Sequence, residues 1–177
     1  MTGELGTQRR ILAGLGQAHV PAELLQSIFC TELLRPSKKL WLVSPWVSDI
    51  EVIDNSGRRF GALDSTWEAG PILLSEFIST YLSRGSDIAL VMNFDRHNNW
   101  MVNKLHELSD EYPEQLTIRQ LETIHAKGIV SDHFALTGSM NITYSGVHIN
   151  SEHIDYTADP VIVNETLAQF EEYLGQP

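Results

Sequence analysis

Hydrophobic positions along the chain follow two spacings in turn, and this alternation predicts an α/β domain. Apolar residues that recur every three or four positions predict helices at residues 21–34, 72–82, 98–108 and 161–174. Compact or alternating apolar runs predict strands at residues 40–47, 87–92, 116–121, 124–130 and 134–137. Proline fits a first helical turn but not a helix interior, so Pro21 and Pro36 support the bounds of the first helix.

Two segments lack such a pattern. Residues 48–70 are rich in Gly, Asp, Ser and Asn, which predicts a loop; a loop of this length is either functional or mobile. Residues 1–20 contain only a short apolar stretch and are interpreted as a flexible N-terminal segment. A length of 177 residues suits one domain, and we interpret residues 1–177 as a single domain without repeats or linkers.

Charge narrows the classes of function. The chain has 12 basic and 23 acidic residues and a net charge of -11, which argues against binding nucleic acid through a broad basic surface. Residues 1–85 carry eight basic and nine acidic groups, whereas residues 86–177 carry four and fourteen. An anionic substrate must therefore be held by local attraction.

The single cysteine and the short apolar runs exclude other classes. Cys30 alone cannot form an internal disulfide or a zinc site made mainly of thiolates. No run approaches the roughly 18 apolar residues that a membrane span needs, and no signal-peptide pattern begins the chain. These features predict a cytoplasmic protein without a membrane association.

The segment that carries chemistry begins at residue 125. On a strand, alternate side chains share a face, so His125 and Lys127 would lie on one face about 7 Å apart. An imidazole beside a fixed cation suits attack on a phosphate. Gly138 would allow close backbone approach, and Ser139 and Asn141 would donate hydrogen bonds to phosphate oxygens.

This arrangement resembles a known motif. His125-x-Lys127, then Asp132, then Gly138-Ser139-x-Asn141 is similar to the HKD motif of the phospholipase D superfamily, and residues 150–152 resemble its downstream Asn-x-Glu segment. With the order of strands and helices, the resemblance covers roughly residues 20–175. It implies a phospholipase D-like α-β-α sandwich with a central mixed sheet. The spacer between Asp132 and Gly138 has five residues, where the family usually has six.

The resemblance also implies a mechanism. His125 would attack phosphorus and form a phosphohistidine, and a second histidine would protonate the leaving oxygen and then activate water. Because the chain has one motif, the second histidine would come from a second copy, in a homodimer with the active site at its two-fold interface. Lys127 and Asn141 would hold the phosphate, Glu152 would orient the histidine, and Asp132 would order the local backbone or the neighbouring strand. No metal or other cofactor is implied.

Other residues have two interpretations. Trp46 ends a strand that leads to the site, so it lines the substrate pocket or packs in the core. Arg58 and Arg59 form a substrate-phosphate clamp or a solvated surface pair. His133, His148 and His153 are near the motif in sequence, but their spacing matches no tight metal signature.

We therefore expect a metal-independent phosphodiesterase, most simply a nuclease acting on DNA in a bacterial DNA modification, restriction or defence system. Residues 40–49 and 53–55 are also similar to the phospholipase D-like proteins encoded beside bacterial DNA 7-deazaguanine modification genes, the DpdK group. One alternative is a catalytically weak or inactive phosphate-binding subunit of a larger complex, and another is a lipid phosphodiesterase. Because a broad cationic surface is missing, a tight grip on a long polymer would need partner subunits.

Overall fold

The computed structural model describes residues 8–13 and 19–175. In chain order its strands are β1 (Gln8–Ala13), β2 (Lys39–Val43), β3 (Glu51–Asn55), β4 (Gly70–Leu73), β5 (Asp87–Asn93), β6 (Leu116–Leu121), β7 (Gly128–Val130), β8 (Ala135–Gly138) and β9 (Glu152–Thr157). Its α-helices are α1 (His19–Leu34), α2 (Leu74–Ser83), α3 (Asn99–Glu111), α4 (Tyr144–His148) and α5 (Pro160–Glu171).

Seven of these strands form one mixed sheet in the order β1-β9-β8-β7-β2-β5-β6. β2, β5 and β6 run parallel, and β7 pairs antiparallel with β2, with Val43 opposite Gly128. The three parallel strands therefore end where β7 begins. We call this the carboxyl end of the sheet, and we call the opposite end, where β2, β5 and β6 begin, the amino end.

Alternation along the strands separates two cores, because successive side chains point to opposite faces. Leu40 and Leu42 of β2 pack on the face covered by α1, α2 and α3. Trp41 and Val43 pack on the other face, with Phe170 of α5. Helices on both faces of a mixed sheet make the α-β-α sandwich that the sequence predicts, so the fold class is confirmed.

Several predicted bounds are wrong. Residues 48–70 contain β3 and the start of β4, which pair as a separate two-stranded sheet. The strand expected at residues 40–47 ends at Val43, with one isolated bridge from Val47 to Ile142. The strand expected at residues 124–130 is only Gly128–Val130.

The N-terminal segment contains a strand that the sequence pattern does not predict. Gln8–Ala13 pairs antiparallel with β9 along its length. Residues 1–7 and 14–18 lie outside the described residues. α4 and β9 were not expected from the sequence. Over residues 8–13 and 19–175, no helix is long and apolar enough to cross a membrane.

Candidate active site

His125 and Lys127 lie directly before β7, at the carboxyl end of the sheet. The residue before His125 is fixed by β5, because the Ile124 backbone N–H donates to Asn93 Oδ1 at 2.7 Å. His125 is exposed and Lys127 is half-buried, with its Nζ donating to the His125 carbonyl at 2.9 Å. The imidazole and the ammonium group are therefore presented on an open surface rather than in a core.

Gly138 brings β8 and β9 close together beside this pair. Its backbone N–H donates to the Lys127 carbonyl at 3.4 Å. Its φ is +149°, and a Cβ there would lie 2.0 Å from the His153 carbonyl oxygen. Only glycine fits this position, and the hairpin with a five-residue spacer still sets Gly138 beside Lys127.

Ser139 and Glu152 form the next part of the site. Glu152 is 7% exposed and accepts hydrogen bonds from Ser139 Oγ and, at 3.1 Å, from Asn150 Nδ2. Ser139 Oγ accepts in turn from the His153 backbone N–H at 3.0 Å. A carboxylate can accept about four hydrogen bonds, so Glu152 has capacity for a further donor such as an imidazole N–H.

Asn141 is tied to the end of β2 by a residue that sequence reasoning missed. Buried Ser44 has its Oγ 3.3 Å from Asn141 Oδ1, accepts from the Ile142 backbone N–H at 3.1 Å and donates to the Trp46 carbonyl at 2.7 Å. The Ser48 N–H donates to the Ile142 carbonyl at 2.8 Å. These bonds fix the segment that carries Asn141 against the chain leaving β2.

A second residue missed from the sequence is Asn98, which is fully buried. Its Oδ1 accepts from the Val47 N–H at 2.8 Å, and its Nδ2 donates to the Pro45 and Asn93 carbonyls at 2.9 Å each. It therefore joins the exits of β2 and β5. A polar residue at the start of a predicted helix was the available signal, but its partners on the β2 exit lie far away in sequence.

Trp46 lies at the carboxyl end of the sheet and is not a core residue. Its side chain is 44% exposed, and its indole N–H donates to Asp95 Oδ2 at 3.2 Å. The backbone N–H of His97 and the indole of Trp46 hold the pKa of Asp95 below its ordinary value. This position is compatible with contact to a substrate at His125.

Asp132, by contrast, lies at the amino end of the sheet. Its Oδ2 accepts from the Lys38 backbone N–H at 2.9 Å, just before β2 begins. Asp132 thus fixes the start of β2, the strand next to β7, in agreement with its expected role of ordering the neighbouring strand. Its place among the catalytic residues is corrected, because β7 separates it from His125.

Arg58 and Arg59 are also separated from the site. Arg59 pairs with Asp54 at 2.5 Å, and Arg58 Nη2 donates to the Ser65 carbonyl at 3.5 Å. The rest of this loop runs toward the amino end, where the Leu63 carbonyl accepts from Arg84 at the end of α2. The clamp interpretation is therefore corrected for a single chain, since the loop turns away from the strand end that precedes it.

The three other histidines near the motif lie apart. His153 contacts Asp155 at 3.1 Å, His148 packs on the Tyr144 ring at 4.8 Å, and His133 lies in the turn after β7. In the part of the chain that the structure describes, no group of three or more His, Cys, Asp or Glu side chains is arranged to hold a metal ion.

Comparisons with known proteins identify the family and the fold. Residues 62–174 match the family model described as cardiolipin synthase, PLD-like domain. The chain belongs to the phospholipase D-like family. No curated protein sequence matches it.

Solved structures of phospholipase D-like fold cover nearly the whole chain. NucT from Helicobacter pylori superposes with a TM-score of 0.63 at 13% identity, over 96% of each chain. Nuc from Salmonella typhimurium, a phospholipase D family member, superposes with a TM-score of 0.62 at 14% identity, over 96% of this chain and 95% of that one. Polyphosphate kinase from Porphyromonas gingivalis gives 0.61 at 16% identity, over 97% of this chain but 26% of that one. At these identities the likeness establishes the fold.

Proposed function

We propose that this phospholipase D-like protein is a metal-independent phosphodiesterase of the nuclease type. The observation that carries the proposal is the meeting of His125, Lys127, Ser139, Asn141 and Glu152 at the carboxyl end of the sheet, in the order of the family motif. A nucleophile, a cation, hydrogen-bond donors and a buried carboxylate are the groups that phosphoryl transfer through a covalent intermediate requires.

The reaction has two steps. An imidazole nitrogen of His125 attacks phosphorus, the new P–N bond forms as the P–O bond to the leaving group breaks, and a second imidazolium gives its proton to the leaving oxygen. Water then attacks phosphorus and gives a proton to that second imidazole, and the P–N bond breaks to return His125. Lys127 and Asn141 oppose the charge on the non-bridging oxygens, and Glu152 stabilises an imidazolium.

The second histidine comes, in this proposal, from a second copy of the chain. His125, Gly138 and Ser139 are all exposed, so the site of one chain is an open surface instead of a cleft that excludes water. A two-fold axis through this surface would bring two copies of His125 to one phosphate and enclose it. This is why we propose that the homodimer is the active form.

Replacement of His125 tests the catalytic proposal. His125→Ala is expected to abolish hydrolysis of DNA, RNA and bis(p-nitrophenyl) phosphate and to remove the acid-labile phosphoprotein formed with labelled substrate. Hydrolysis by the unmodified protein should persist in EDTA. The exposed histidine of α3 supplies a matched control, His106→Ala, which should leave the rate unchanged. Equal rates for His125→Ala and the unmodified protein would refute the proposal.

Mixing two kinds of subunit tests the dimer. If each site needs a histidine from both copies, equal amounts of the unmodified and His125→Ala chains, after exchange, should retain about a quarter of the activity of the same total amount of unmodified protein. Independent subunits would retain about half. Sedimentation should give a dimer in both cases, and a monomer with full activity would contradict the two-fold site.

Hydrolysis assays also distinguish two alternative functions, a lipid phosphodiesterase and a phosphate-binding subunit. Hydrolysis of phospholipid vesicles without any nuclease activity would favour the lipid phosphodiesterase. A well-folded dimer that is inert on every phosphodiester would favour the phosphate-binding subunit. A role in a bacterial DNA modification, restriction or defence system, including that of the DpdK group, stays a prediction that the action on modified and unmodified DNA would test.

A further inference from the structure

Exposed aromatic side chains at the carboxyl end of the sheet include three on the exits of β2 and β5 and the start of α3. Trp46 follows β2 and is 44% exposed, Phe94 directly follows β5 and is 66% exposed, and Trp100, in the first turn of α3, is 54% exposed. They run outward from the strand ends that flank His125 onto α3. We call these three residues, with Arg96 and Lys104, the aromatic strip.

Positive charge accompanies these rings. Arg96 and Lys104 are exposed, and Lys104 Nζ lies 5.6 Å from the centre of the Trp100 ring, as expected four residues further along a helix. Together they are half of the four basic residues in the acidic stretch 86–177. The acidic residues of α3 lie in its later turns, toward the amino end: Glu107, Asp110 and Glu111.

Hydrogen bonds of Asp95 and Asn98 fix the segments that carry the strip. The indole of Trp46 is bonded to Asp95, whose other oxygen accepts from the His97 N–H at 2.8 Å. Buried Asn98 then fixes the start of α3 to the exits of β2 and β5. The Trp46 ring is therefore held by a hydrogen bond and the backbone that carries Phe94 and Trp100 is fixed, which lowers the entropy lost when a ligand packs there.

We infer that the aromatic strip binds single-stranded nucleic acid by stacking its bases, so that the substrate class of the site is a single strand. This rests on the proposed function and narrows it. Every base has a face that stacks on an aromatic ring, but the bases of an intact duplex already stack on each other. Because the chain has a net charge of -11, attraction to phosphates alone would contribute little binding free energy. Stacking on these rings, with Arg96 and Lys104 beside them, would therefore supply most of the affinity for a polynucleotide.

Binding measured without cleavage tests the inference. In a His125→Ala background, fluorescence anisotropy would follow an oligothymidylate of about 20 nucleotides, an abasic strand of equal length and a duplex of equal length. Trp100→Ala and Phe94→Ala should each weaken binding of the oligothymidylate roughly tenfold, while Trp100→Phe retains it. The abasic strand and the duplex should bind more weakly and respond little to either alanine. Arg96→Ala and Lys104→Ala should each lower the slope of log affinity against log salt by about 0.7.

Two controls separate the possible failures. Leu34→Ala removes another exposed apolar side chain, at the amino end, and should have no effect on binding. In the active protein, the unmodified chain and Leu34→Ala should hydrolyse bis(p-nitrophenyl) phosphate at the same rate, so the catalytic proposal is judged apart from the strip.

The inference is overturned if Trp100→Ala weakens binding no more than Leu34→Ala does, or if the abasic strand binds as tightly as the oligothymidylate. It is also overturned if Trp100→Ala turns a dimer into a monomer of unchanged affinity per chain, because the strip would then be a contact between copies.

Discussion

Glu32 and Glu152 are buried carboxylates at opposite ends of the central sheet, and their surroundings differ in one respect. Glu32, 1% exposed, accepts four hydrogen bonds of 2.8–3.0 Å, from the Ser37 backbone N–H and from the hydroxyls of Ser37, Tyr81 and Ser131. From the described residues, Glu152, 7% exposed, accepts two, from Ser139 and Asn150. Described donors fill the acceptor capacity of Glu32 but not that of Glu152.

The difference suits Glu32 to a structural role and, under the proposed function, Glu152 to a chemical one. The donors to Glu32 come from α2, from the start of β2 and from the end of β7, so this carboxylate joins three elements at the amino end. Among the described residues, the donors to Glu152 lie at the carboxyl end, where exposed His125 also lies. Under the proposed function, a buried carboxylate at the same end of the sheet as an exposed histidine is suited to stabilise an imidazolium during reaction.

Among these variants, Glu152→Gln should produce the largest effect, a fall in the rate of phosphodiester hydrolysis. An amide carries no charge to stabilise an imidazolium, so phosphodiester hydrolysis is expected to fall by roughly 10³. The free energy of unfolding in urea should fall by only about 1 kcal/mol. Glu165→Gln, an exposed substitution on α5, is the control. A rate within a few-fold of the unmodified protein would remove Glu152 from the mechanism.

Glu32→Gln should show the opposite pattern. The amide NH₂ cannot accept the two donors that face one oxygen, so the free energy of unfolding is expected to fall by about 3 kcal/mol. The rate per folded molecule should change by less than about twofold. Glu23→Gln, on the exposed face of the same helix, should leave both unchanged. An equal stability loss in Glu152→Gln would erase the contrast between the two ends.

Gly138→Ala should disturb the carboxyl end through its backbone. The new Cβ would meet the His153 carbonyl, so β8 and β9 must separate. We expect a loss of about 3 kcal/mol in unfolding free energy, together with slower hydrolysis, because Ser139 and Glu152 move apart. Gly57 has a φ of +65°, and a Cβ there would have nothing within 4 Å, so Gly57→Ala isolates the backbone cost, about 1 kcal/mol. If the two variants lost similar amounts of unfolding free energy, β8 and β9 would accommodate the new Cβ beside the His153 carbonyl without further cost.

Alkaline pH should weaken the amino end specifically. Burial, with the charge of Glu32 beside it, raises the pKa of Tyr81 above its ordinary value. Above a pH of about 10 the unfolded chain loses the Tyr81 proton while the folded chain keeps it, so stability falls as pH rises. The stability difference between the unmodified protein and Tyr81→Phe should therefore shrink by about 1 kcal/mol per pH unit there. Urea titrations of both proteins from pH 8 to 11 would check this, and a constant difference would contradict the shifted pKa.

The sequence predicts most of the layered fold because its buried strands and amphipathic helices are local patterns. The predicted bounds of β5 and β6 lie within one residue of those observed. β7 has three residues and β4 has four, too few for a period to be visible, and neither is predicted correctly. β9 was missed because only two of its six residues, Ile154 and Tyr156, are apolar, which is too few to show a run or a period.

The candidate site shows the same division. The motif order singled out His125, Lys127 and Glu152 without any structure. Ser44 and Asn98 were invisible, because each acts through bonds to residues 51 to 98 positions away or to the backbone of another strand. Arg58 and Arg59 failed for a related reason, since the sequence does not reveal which way a loop turns after it leaves a strand.

Arg58→Ala and Arg59→Ala should have the smallest effects. The Arg59–Asp54 pair is short but exposed, and solvent screening leaves such pairs little effect on stability. The pKa of Asp54 is lowered first by hydrogen bonds from Ser56 and only then by Arg59, so the carboxylate keeps its main partner in the variant. KM for a short oligonucleotide should change by less than about twofold, since neither guanidinium reaches the carboxyl end in its own chain. A tenfold rise in KM would place this loop beside the active site of a second copy. Arg58 and Arg59 of one chain would then contact the substrate phosphate bound at its partner's site.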